Sequence, residues 1–589
     1  MPSSLSVRPA GALLLAFLGL GGLAVLGRAM SAPGSPRGVV GVFEVPGFDF
    51  RANGAWRPRV ARIRAARQQA LRAKNLAALN AGGALTVGGT ITVPVVPVGF
   101  ANVAAPYPTS SYQTTLFASP AQTWAYSLGT FYAEASRGGL TLDGVVLPWV
   151  TADSTDTYYE DGCNGVGVLN ACPHWGVRLG EFLFEGLRKS DDGSVDWGAF
   201  DNDGPDGLPN SGDDDGVVDF VAFLHPEVDG ACGTTNLWAH RYDVAGWNGG
   251  SPYVTKSPRR GPGGAPIPGS FIVVRDYTLQ SAVGGAGACA AGPIMPIGTL
   301  AHEVGHAFGL PDLYDTNLRS SAVTQGTGEW SLMGSGNYTQ PYSPGRFDAW
   351  SLTELGWVTV DTLAQSGAVA LGPVASSDTV LLRTVAGTDE YFLFENRQAI
   401  GTDSAQLNPG CVFGTRSCAK GPGLLIWHID QGQIDAHGFL QDNAVNSGTV
   451  QGVALVQADG LNQLRTPGSK NRGDAGDPWP GSSGATTFGF TTNPAAVDNT
   501  GRFSGITLDS IRQLVSGGAI GFHLTLSPSG AVSVTFPAAT DAMLGRTVLG
   551  SAQVSYLDSL GNGNGGYDVG DFLAYYRRQQ SSAVRGGPR

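Results

Sequence analysis

The stretch GTLAHEVGHAFGLPDLYD, Gly298 to Asp315, places two histidines four residues apart, with a glutamate directly after the first. In an α-helix, residues four apart lie on one face, about 6 Å apart along the axis. The imidazoles of His302 and His306 can therefore bind one metal ion. Glu303 is rotated by about 100° from His302. Its carboxylate should lie beside the metal, where it can take a proton from a zinc-activated water.

The residues after the second histidine predict a turn that brings in a third ligand. Gly309 stands where a left-handed residue commonly ends a helix, and Pro311 prevents the helix from resuming. Asp312 follows directly and can supply an oxygen ligand, with Asp315 and Glu329 as alternatives for the same position. A helix with two surface histidines and no metal is the other interpretation. The adjacent glutamate, the glycine turn and the aspartate together favour zinc.

The pattern HExxHxxGxxD, followed by SLMGSG at 331–336, resembles the metzincin clan of zinc peptidases. In that clan a methionine in a later tight turn, here Met333, underlies the metal. A tyrosine polarises the substrate carbonyl in some members, which makes Tyr338 a candidate for that role. This chain departs from most metzincins, which have histidine where it has Asp312.

Several further segments are similar to the immune inhibitor A family of secreted bacterial peptidases, over about residues 95–526. They are HEVGHAFGLPDLYD, EWSLMGSG, EYFLFENRQ, GLLIWHID and GDAGDPWPG. The resemblance implies a secreted zinc endopeptidase that acts on proteins or peptides and is made as a zymogen. Glu303 would be the general base.

Two other functions are compatible with the sequence. One is a cell-surface or extracellular binding protein with a vestigial peptidase domain, and the other is a zinc hydrolase of non-peptide amides or esters. The intact Glu303 favours the peptidase over the binding protein, because a binding module does not need a general base. Metal binding requires neutral imidazoles, so activity should fall at acid pH.

The composition limits both the architecture and the partners. A chain of 589 residues is long enough for roughly three or four folded units. Charged residues make up 14%, and the 87 glycines indicate many tight turns and short strands. The net charge of −12 argues against nucleic-acid binding, which needs clustered Lys and Arg. A monomer is expected.

The N-terminus predicts export. Arg8 precedes an apolar run from Ala10 to Gly27, and small residues follow it, so cleavage after Ser31 or Ala32 would remove a signal peptide over 1–32. The run is longer than the usual ~7–15 residues, which makes an uncleaved membrane anchor the alternative.

The six cysteines fit an oxidising compartment, since their number is even. A thiolate metal site is the alternative, but the chain has no CxxC motif. Short loops favour two pairs and leave a third: Cys163–Cys172, Cys411–Cys418 and Cys232–Cys289.

The remaining chain divides into four parts. A pro-segment is predicted over 33–95, a zinc metallopeptidase catalytic domain of α/β (α+β) class over 96–365, an all-β sandwich over 366–527, and a linker with a dockerin-like tail over 528–589. The pro-segment carries eight basic residues from Arg51 to Lys74 and no acidic one, and it should form a helix. This helix either docks on the acidic catalytic domain and keeps it inactive, or is solvated and has no role.

An acidic loop between residues 201 and 219 contains seven aspartates interspersed with glycines. Hard carboxylate ligands on a backbone free to curl are what calcium requires. The preferred ligands are Asp201, Asp203, Asp215 and Asp219. A solvated acidic loop without an ion is the alternative.

The tail resembles one half of a dockerin repeat, a helical module with a calcium loop. Asn562, Asn564, Asp568 and Asp571 fall at calcium-loop spacings, but Leu560 stands where the first ligand is expected. A plain turn before a helix is the alternative. The tail could bind a cell-surface or cohesin-like partner.

Three other polar residues are predicted to be satisfied core groups rather than a second active site. His428 and Asp430 should form a polar pair in an apolar strand, and His240 should be buried with a partner.

Overall fold

The computed structural model describes residues 56–585, apart from short gaps. The gaps are 74, 81–84, 120–124, 168–170, 175, 205, 286–287, 318–321, 408–419, 439–440, 491, 528–533 and 563. The predicted signal peptide and the predicted Cys411–Cys418 pair lie outside the described residues. Among the helices that are described, none is both long and apolar enough to span a bilayer.

The N-terminal part forms helices α1 (Trp56–Arg72) and α2 (Leu76–Leu79). The predicted basic helix is therefore confirmed as a helix. Its apolar face is buried, with Val60 and Ile63 in the same core cluster as Trp350 of the catalytic segment. The burial of this face shows that the helix is packed against the protein rather than solvated all round.

The catalytic segment alternates strands and helices, as the sequence predicts. Its elements are β1 (Gly89–Gly99), α3 (Thr109–Phe117), α4 (Leu128–Ala135), β2 (Leu140–Val146), β3 (Val150–Thr151), α5 (Asp156–Glu160), α6 (Val177–Ser190), β4 (Val221–His225), β5 (His240–Asp243), β6 (Tyr253–Arg260), β7 (Pro266–Val274), β8 (Asp276–Ser281), α7 (Gly298–Ala307), α8 (Asn337–Thr339) and α9 (Ala349–Leu355).

The main sheet of this segment has the order β2-β1-β4-β8-β5. β1 pairs in parallel with β2 and β4, and β4 pairs in parallel with β8, while β5 runs antiparallel to β8. The predicted boundary between pro-segment and catalytic domain, at 95/96, lies inside β1. Residues before it therefore belong to the sheet, because Gly89 to Val95 pair with Leu140 to Val146.

Helix α7 carries the two histidines, and its position is fixed by buried contacts. The hydroxyl of Tyr132 on α4 donates to the carbonyl of Ala301 at 2.6 Å. Leu300 and Val304 are buried in the same core cluster as Tyr132. These buried contacts hold the helix in place within the catalytic segment.

The following segment is rich in strands. Its elements are β9 (Thr359–Thr362), β10 (Gly367–Leu371), α10 (Val374–Ser377), β11 (Thr379–Thr384), β12 (Glu390–Arg397), α11 (Asp403–Leu407), β13 (Gly423–Asp430), α12 (Gln431–His437), β14 (Val453–Val456), β15 (Ile506–Gln513) and β16 (Ile520–Leu526).

These strands form a five-stranded sheet, β14-β13-β12-β11-β9, and a three-stranded sheet, β10-β16-β15. One apolar cluster joins the two sheets and includes Phe394 of the first and Phe522 of the second. The other face of the five-stranded sheet, with Leu393 and Trp427, belongs to the same core cluster as α7. The strand-rich segment therefore shares a core with the catalytic segment, and β9 lies before the predicted boundary at 365/366.

The tail contains α13 (Phe536–Met543), α14 (Ser551–Leu560) and α15 (Val569–Arg585) around a small apolar cluster that includes Leu557 and Tyr575. Two predicted disulfides are confirmed elsewhere in the chain, Cys163–Cys172 and Cys232–Cys289.

Candidate metal centre and acidic loops

The turn after α7 has the geometry that the sequence predicts. Gly309 adopts φ = 75°, in the left-handed region that favours glycine. Its N–H donates to the carbonyl of His306 at 2.9 Å, which closes the end of the helix. The chain then doubles back, and Asp312 arrives beside the histidines.

Both imidazoles are oriented by main-chain carbonyls. His302 Nδ1 lies 2.7 Å from the carbonyl oxygen of Leu332, and His306 Nδ1 lies 2.7 Å from that of Leu310. A carbonyl oxygen can only accept, so each Nδ1 carries the proton in the neutral imidazole and each Nε2 keeps its lone pair. Fixing the tautomer in this way is typical of histidines that bind metals.

The two Nε2 atoms converge on one carboxylate oxygen. Asp312 Oδ1 lies 3.0 Å from His302 Nε2 and 3.4 Å from His306 Nε2. The ligand atoms of these three buried residues all lie within 4.8 Å of one another. Two imidazole nitrogens and one carboxylate oxygen are a donor set that zinc takes in catalytic sites.

The charges at this point favour a cation. Burial acts to lower the pKa of His302, but the hydrogen bond to Asp312 and its charge raise that pKa to about 9. Burial acts to raise the pKa of Asp312, but the charge of His306 and the imidazole hydrogen bonds hold it well below its usual range. A proton is thus held where a metal ion would take its place, which fits a metal site.

The two alternative third ligands are engaged elsewhere. The carboxylate of Asp315 accepts hydrogen bonds from the backbone N–H groups of Asn317 and Thr324, at 3.0 and 2.9 Å. Glu329 forms a buried ion pair with Lys420. Asp312 is therefore the carboxylate that the structure brings to the two histidines.

Met333 lies directly against the ligand helix. The tight turn Leu332–Gly336 carries it, and a Cβ at Gly305 would come within 2.5 Å of its sulfur. A glycine at 305, between the histidines, therefore lets the methionine approach the helix closely. The role of Met333 as an apolar floor beneath the metal stays a prediction.

Glu303 is half-buried on the helix between the ligand histidines. Burial raises the pKa of its carboxyl group, while the nearby His306 and His302 act in the opposite direction. Tyr338 follows the methionine turn, and the guanidinium of Arg472 lies 5.7 Å from the centre of its ring. Burial raises the pKa of Tyr338, with Arg472 opposing.

One contact of the centre has no signal in the local sequence. Asn443, 131 residues after Asp312, donates from Nδ2 to Asp312 Oδ2 at 2.7 Å. Its Oδ1 accepts from the Asp312 backbone N–H at 2.8 Å. Only the fold brings these two positions together.

The acidic loop brings together three of its four predicted ligands. Asp201, Asp203 and Asp215 each offer a carboxylate oxygen within 4.8 Å of the others. Asp201 is fully buried, and its Oδ1 has no hydrogen-bond partner among the described residues. Burial, followed by the charges of neighbouring aspartates, raises the pKa of Asp201 to about 8. Asp219 is buried but is not part of this group.

The tail loop also brings its predicted residues together. Asn562 and Asn564 donate to Asp568 Oδ2 at 2.9 and 2.8 Å. Asp571 is buried and accepts from the backbone N–H groups of Asn562 and Asp568. These residues bond to one another, and calcium binding by them stays a prediction.

The predicted pairing of His428 with Asp430 is wrong. His428 Nε2 lies 2.6 Å from Glu390 on the neighbouring strand. Asp430 lies where strand β13 ends, and its side chain caps α12 by accepting from the N–H of Gln433. His240 is a satisfied core residue, as predicted, because its ring bonds to Trp238 and Tyr277.

The part of the chain that carries His302, His306 and Asp312 is similar in sequence to known proteins. Residues 101–357 match the model of the immune inhibitor A peptidase M6 catalytic domain. Pre-pro-metalloprotease PrtV of Vibrio cholerae serotype O1 is 28% identical over 272 residues, which cover 42% of this chain and 26% of that protein. Immune inhibitor A of Bacillus thuringiensis subsp. alesti is 28% identical over 222 residues, which cover 35% of this chain and 28% of that protein.

The chain thus spans less than a third of the length of these curated relatives. The matched range includes both histidines, the glutamate between them and Asp312. Residues 101–357 are therefore similar to the catalytic domain of the immune inhibitor A family of M6 metallopeptidases.

Proposed function

We propose that this chain is an exported, zinc-dependent endopeptidase of metzincin type that hydrolyses protein substrates. The observation that carries the proposal is the convergence of His302 Nε2, His306 Nε2 and Asp312 Oδ1 in one buried site. Glu303 lies next to it on the same helix. A binding protein would not need a general base next to these ligand residues.

The site residues divide the work between holding the ion and moving a proton. His302, His306 and Asp312 would hold zinc, which supplies Lewis-acid chemistry for peptide hydrolysis when bound. Glu303 accepts a proton from the attacking water as the oxygen–carbon bond forms. It then delivers that proton to the nitrogen of the leaving amine as the carbon–nitrogen bond breaks.

A raised pKa suits Glu303 for this role, because a general base works best when its pKa lies near the operating pH. Tyr338 is a candidate for polarising the scissile carbonyl, since it follows the methionine turn and is close enough to feel the charge of Glu303. Mutation can separate these two roles, because Glu303 would act on the attacking water and Tyr338 on the scissile carbonyl.

We further propose that the N-terminal helix keeps the enzyme as a zymogen. The guanidinium of Arg64 donates to the Glu354 carboxylate at 3.1 Å and also to the carbonyl of Gly309, in the turn that leads to Asp312. The buried Arg67 donates to the carbonyl of Thr353 at 2.6 Å. This docking supports a role in shaping the metal turn, and removal of the helix would change that support.

The acidic loop is proposed to bind calcium, with Asp201, Asp203 and Asp215 as ligands and Asp219 close in sequence. Three converging carboxylates repel one another unless a cation is present, and the buried Oδ1 of Asp201 offers a site for it. The tail is proposed to be a separate helical module that could bind calcium and a cohesin-like or cell-surface partner.

The test measures casein hydrolysis by the purified chain, with and without a zinc chelator. Wild type should cleave casein and lose activity with the chelator, and His302→Ala should be inactive. His523→Ala is the matched control, because His523 is an exposed histidine on β16. Casein cleavage by His302→Ala at the wild-type rate would contradict the proposal, and cleavage of small esters alone would indicate a non-peptide substrate.

A further inference from the structure

Asp312 is held from two sides by groups of different origin. Its Oδ1 faces the two histidines, at 3.0 and 3.4 Å from their Nε2 atoms. Its Oδ2 and its backbone N–H both bond to the side-chain amide of Asn443. One amide group therefore fixes the main chain and the carboxylate of the same residue.

Asn443 lies outside the range that matches the peptidase family, in the loop 441–448 that follows α12. This loop runs along the metal turn and bonds to it repeatedly. Asn446 Nδ2 donates to the carbonyl of Leu313 at 2.9 Å, and the N–H of Gly448 donates to Asp315 at 3.2 Å. The hydroxyl of Thr316 donates to the carbonyl of Asn443 at 3.3 Å.

The backbone of Asn443 is itself specialised. Its φ is 56°, in the left-handed region that asparagine tolerates better than most residues other than glycine. Its N–H donates to the carbonyl of Gly438 at 3.1 Å. This conformation aims the amide at Asp312 with both its donor and its acceptor in use.

The chemical consequence concerns how Asp312 would bind an ion. Oδ2 accepts from the Asn443 amide, and Oδ1 is the carboxylate oxygen that faces the two histidines. Partners that orient a metal ligand typically contribute about 10- to 100-fold in metal affinity. The pair is separated by 131 residues in sequence, so the ligand geometry depends on a segment beyond the catalytic domain.

We propose that Asn443 is a positioning residue for the third zinc ligand, and that the loop 441–448 of the strand-rich segment is a structural part of the metal centre. This inference rests on the proposed zinc function of His302, His306 and Asp312. It assigns to the strand-rich segment a direct contribution to the peptidase site.

The experiment measures zinc affinity of the full chain by competition with a chromophoric zinc chelator at neutral pH, together with the thermal stability of the metal-free protein. The variants are Asn443→Ala and Asn443→Gly. Asn443→Gly removes the amide, but glycine adopts positive φ without strain. This variant therefore separates the loss of the contact with Asp312 from backbone strain. Asn462→Ala is the matched control, because Asn462 is exposed and also left-handed, with φ = 54°.

We expect both Asn443 variants to bind zinc about 10- to 100-fold more weakly than wild type. Asn462→Ala should bind as wild type does, and metal-free Asn443→Gly should melt cooperatively. Wild-type zinc affinity in folded Asn443→Gly would overturn the inference. If wild type itself fails to bind zinc stoichiometrically, the proposed function fails first, so the two failures are distinguishable.

Discussion

Asp312 and Asp201 are both buried aspartates, but their surroundings have opposite charge. Asp312 faces two imidazoles and receives a hydrogen bond from Asn443. Asp201 faces Asp203 and Asp215, and its Oδ1 has no partner among the described residues. The pKa of Asp312 is held well below its usual range, whereas that of Asp201 is raised to about 8.

Burial alone therefore does not decide the charge of a carboxylate. Around Asp312 the protein itself supplies compensating groups, so the carboxylate is ionised before any metal arrives. Around Asp201 the neighbouring groups are themselves carboxylates, so burial and their charges favour the protonated form. The carboxylate of Asp312 is thus kept ionised by its surroundings, whereas Asp201 keeps its proton to a higher pH.

The largest effect is expected at the chemical site. Glu303→Gln removes the proton acceptor but keeps the shape of the side chain, so casein hydrolysis should fall by about 10²- to 10⁴-fold, the usual contribution of a general base. The kinetics of hydrolysis measure this loss, and zinc binding should persist.

Glu181→Gln provides the control for that substitution, because Glu181 is an exposed glutamate on α6. It should leave the rate unchanged. A Glu303→Gln variant that is as active as this control would remove Glu303 from the mechanism.

The second effect concerns calcium. Adding calcium to the metal-free chain should raise its melting temperature, because an ion at 100-fold excess over its Kd stabilises the folded state by about 2.7 kcal/mol. Asp201→Asn should lose most of this shift, as measured by calorimetry. Asp206→Asn, an exposed position of the same loop, should keep it. If calcium raised the melting temperature of Asp201→Asn as much as that of wild type, the proposed role of Asp201 in binding calcium would be contradicted.

A third effect tests the support of the metal turn from the N-terminal helix. Arg64→Ala removes hydrogen bonds to Glu354 and to the carbonyl of Gly309. We expect a loss of about 1.5–3 kcal/mol in the free energy of unfolding, the range for hydrogen bonds to charged groups. Chemical denaturation measures it, with the exposed Arg62→Ala as control. Equal stability of the two variants would show that the Arg64 contacts contribute nothing.

A fourth effect is a dependence of stability on pH. The pKa of Asp201 is about 8 in the folded, calcium-free chain, against about 3.9 when unfolded. Between these values the folded state binds more protons, so the free energy of unfolding falls as pH rises from about 4 to about 8. Asp201→Asn should show a shallower decline than wild type, in denaturation series without calcium. Identical slopes would contradict the pKa assigned to Asp201.

The metal centre could be predicted largely from the sequence, because its parts are local. Helical spacing places His302 and His306 on one face, and a left-handed Gly309 turns the chain to Asp312. The alternation of strands and helices in the catalytic segment could also be predicted, because each element is specified by the periodicity of its own residues.

The remaining features depend on contacts between distant residues. Asn443 reaches Asp312 across 131 residues, and Glu390 replaces Asp430 as the partner of His428 because neighbouring strands bring it there. The core shared by the strand-rich and catalytic segments could not be predicted from the sequence either. Both faces of the five-stranded sheet are apolar, and only the fold determines which face packs on the catalytic segment.

The most direct test of the central claim is a crystal structure of the zinc-loaded chain with anomalous diffraction recorded at the zinc absorption edge. We predict a single strong peak bonded to His302 Nε2, His306 Nε2 and Asp312 Oδ1, with Glu303 beside it. No peak at these atoms, or a peak bonded to Asp315 or Glu329 instead, would contradict the assignment.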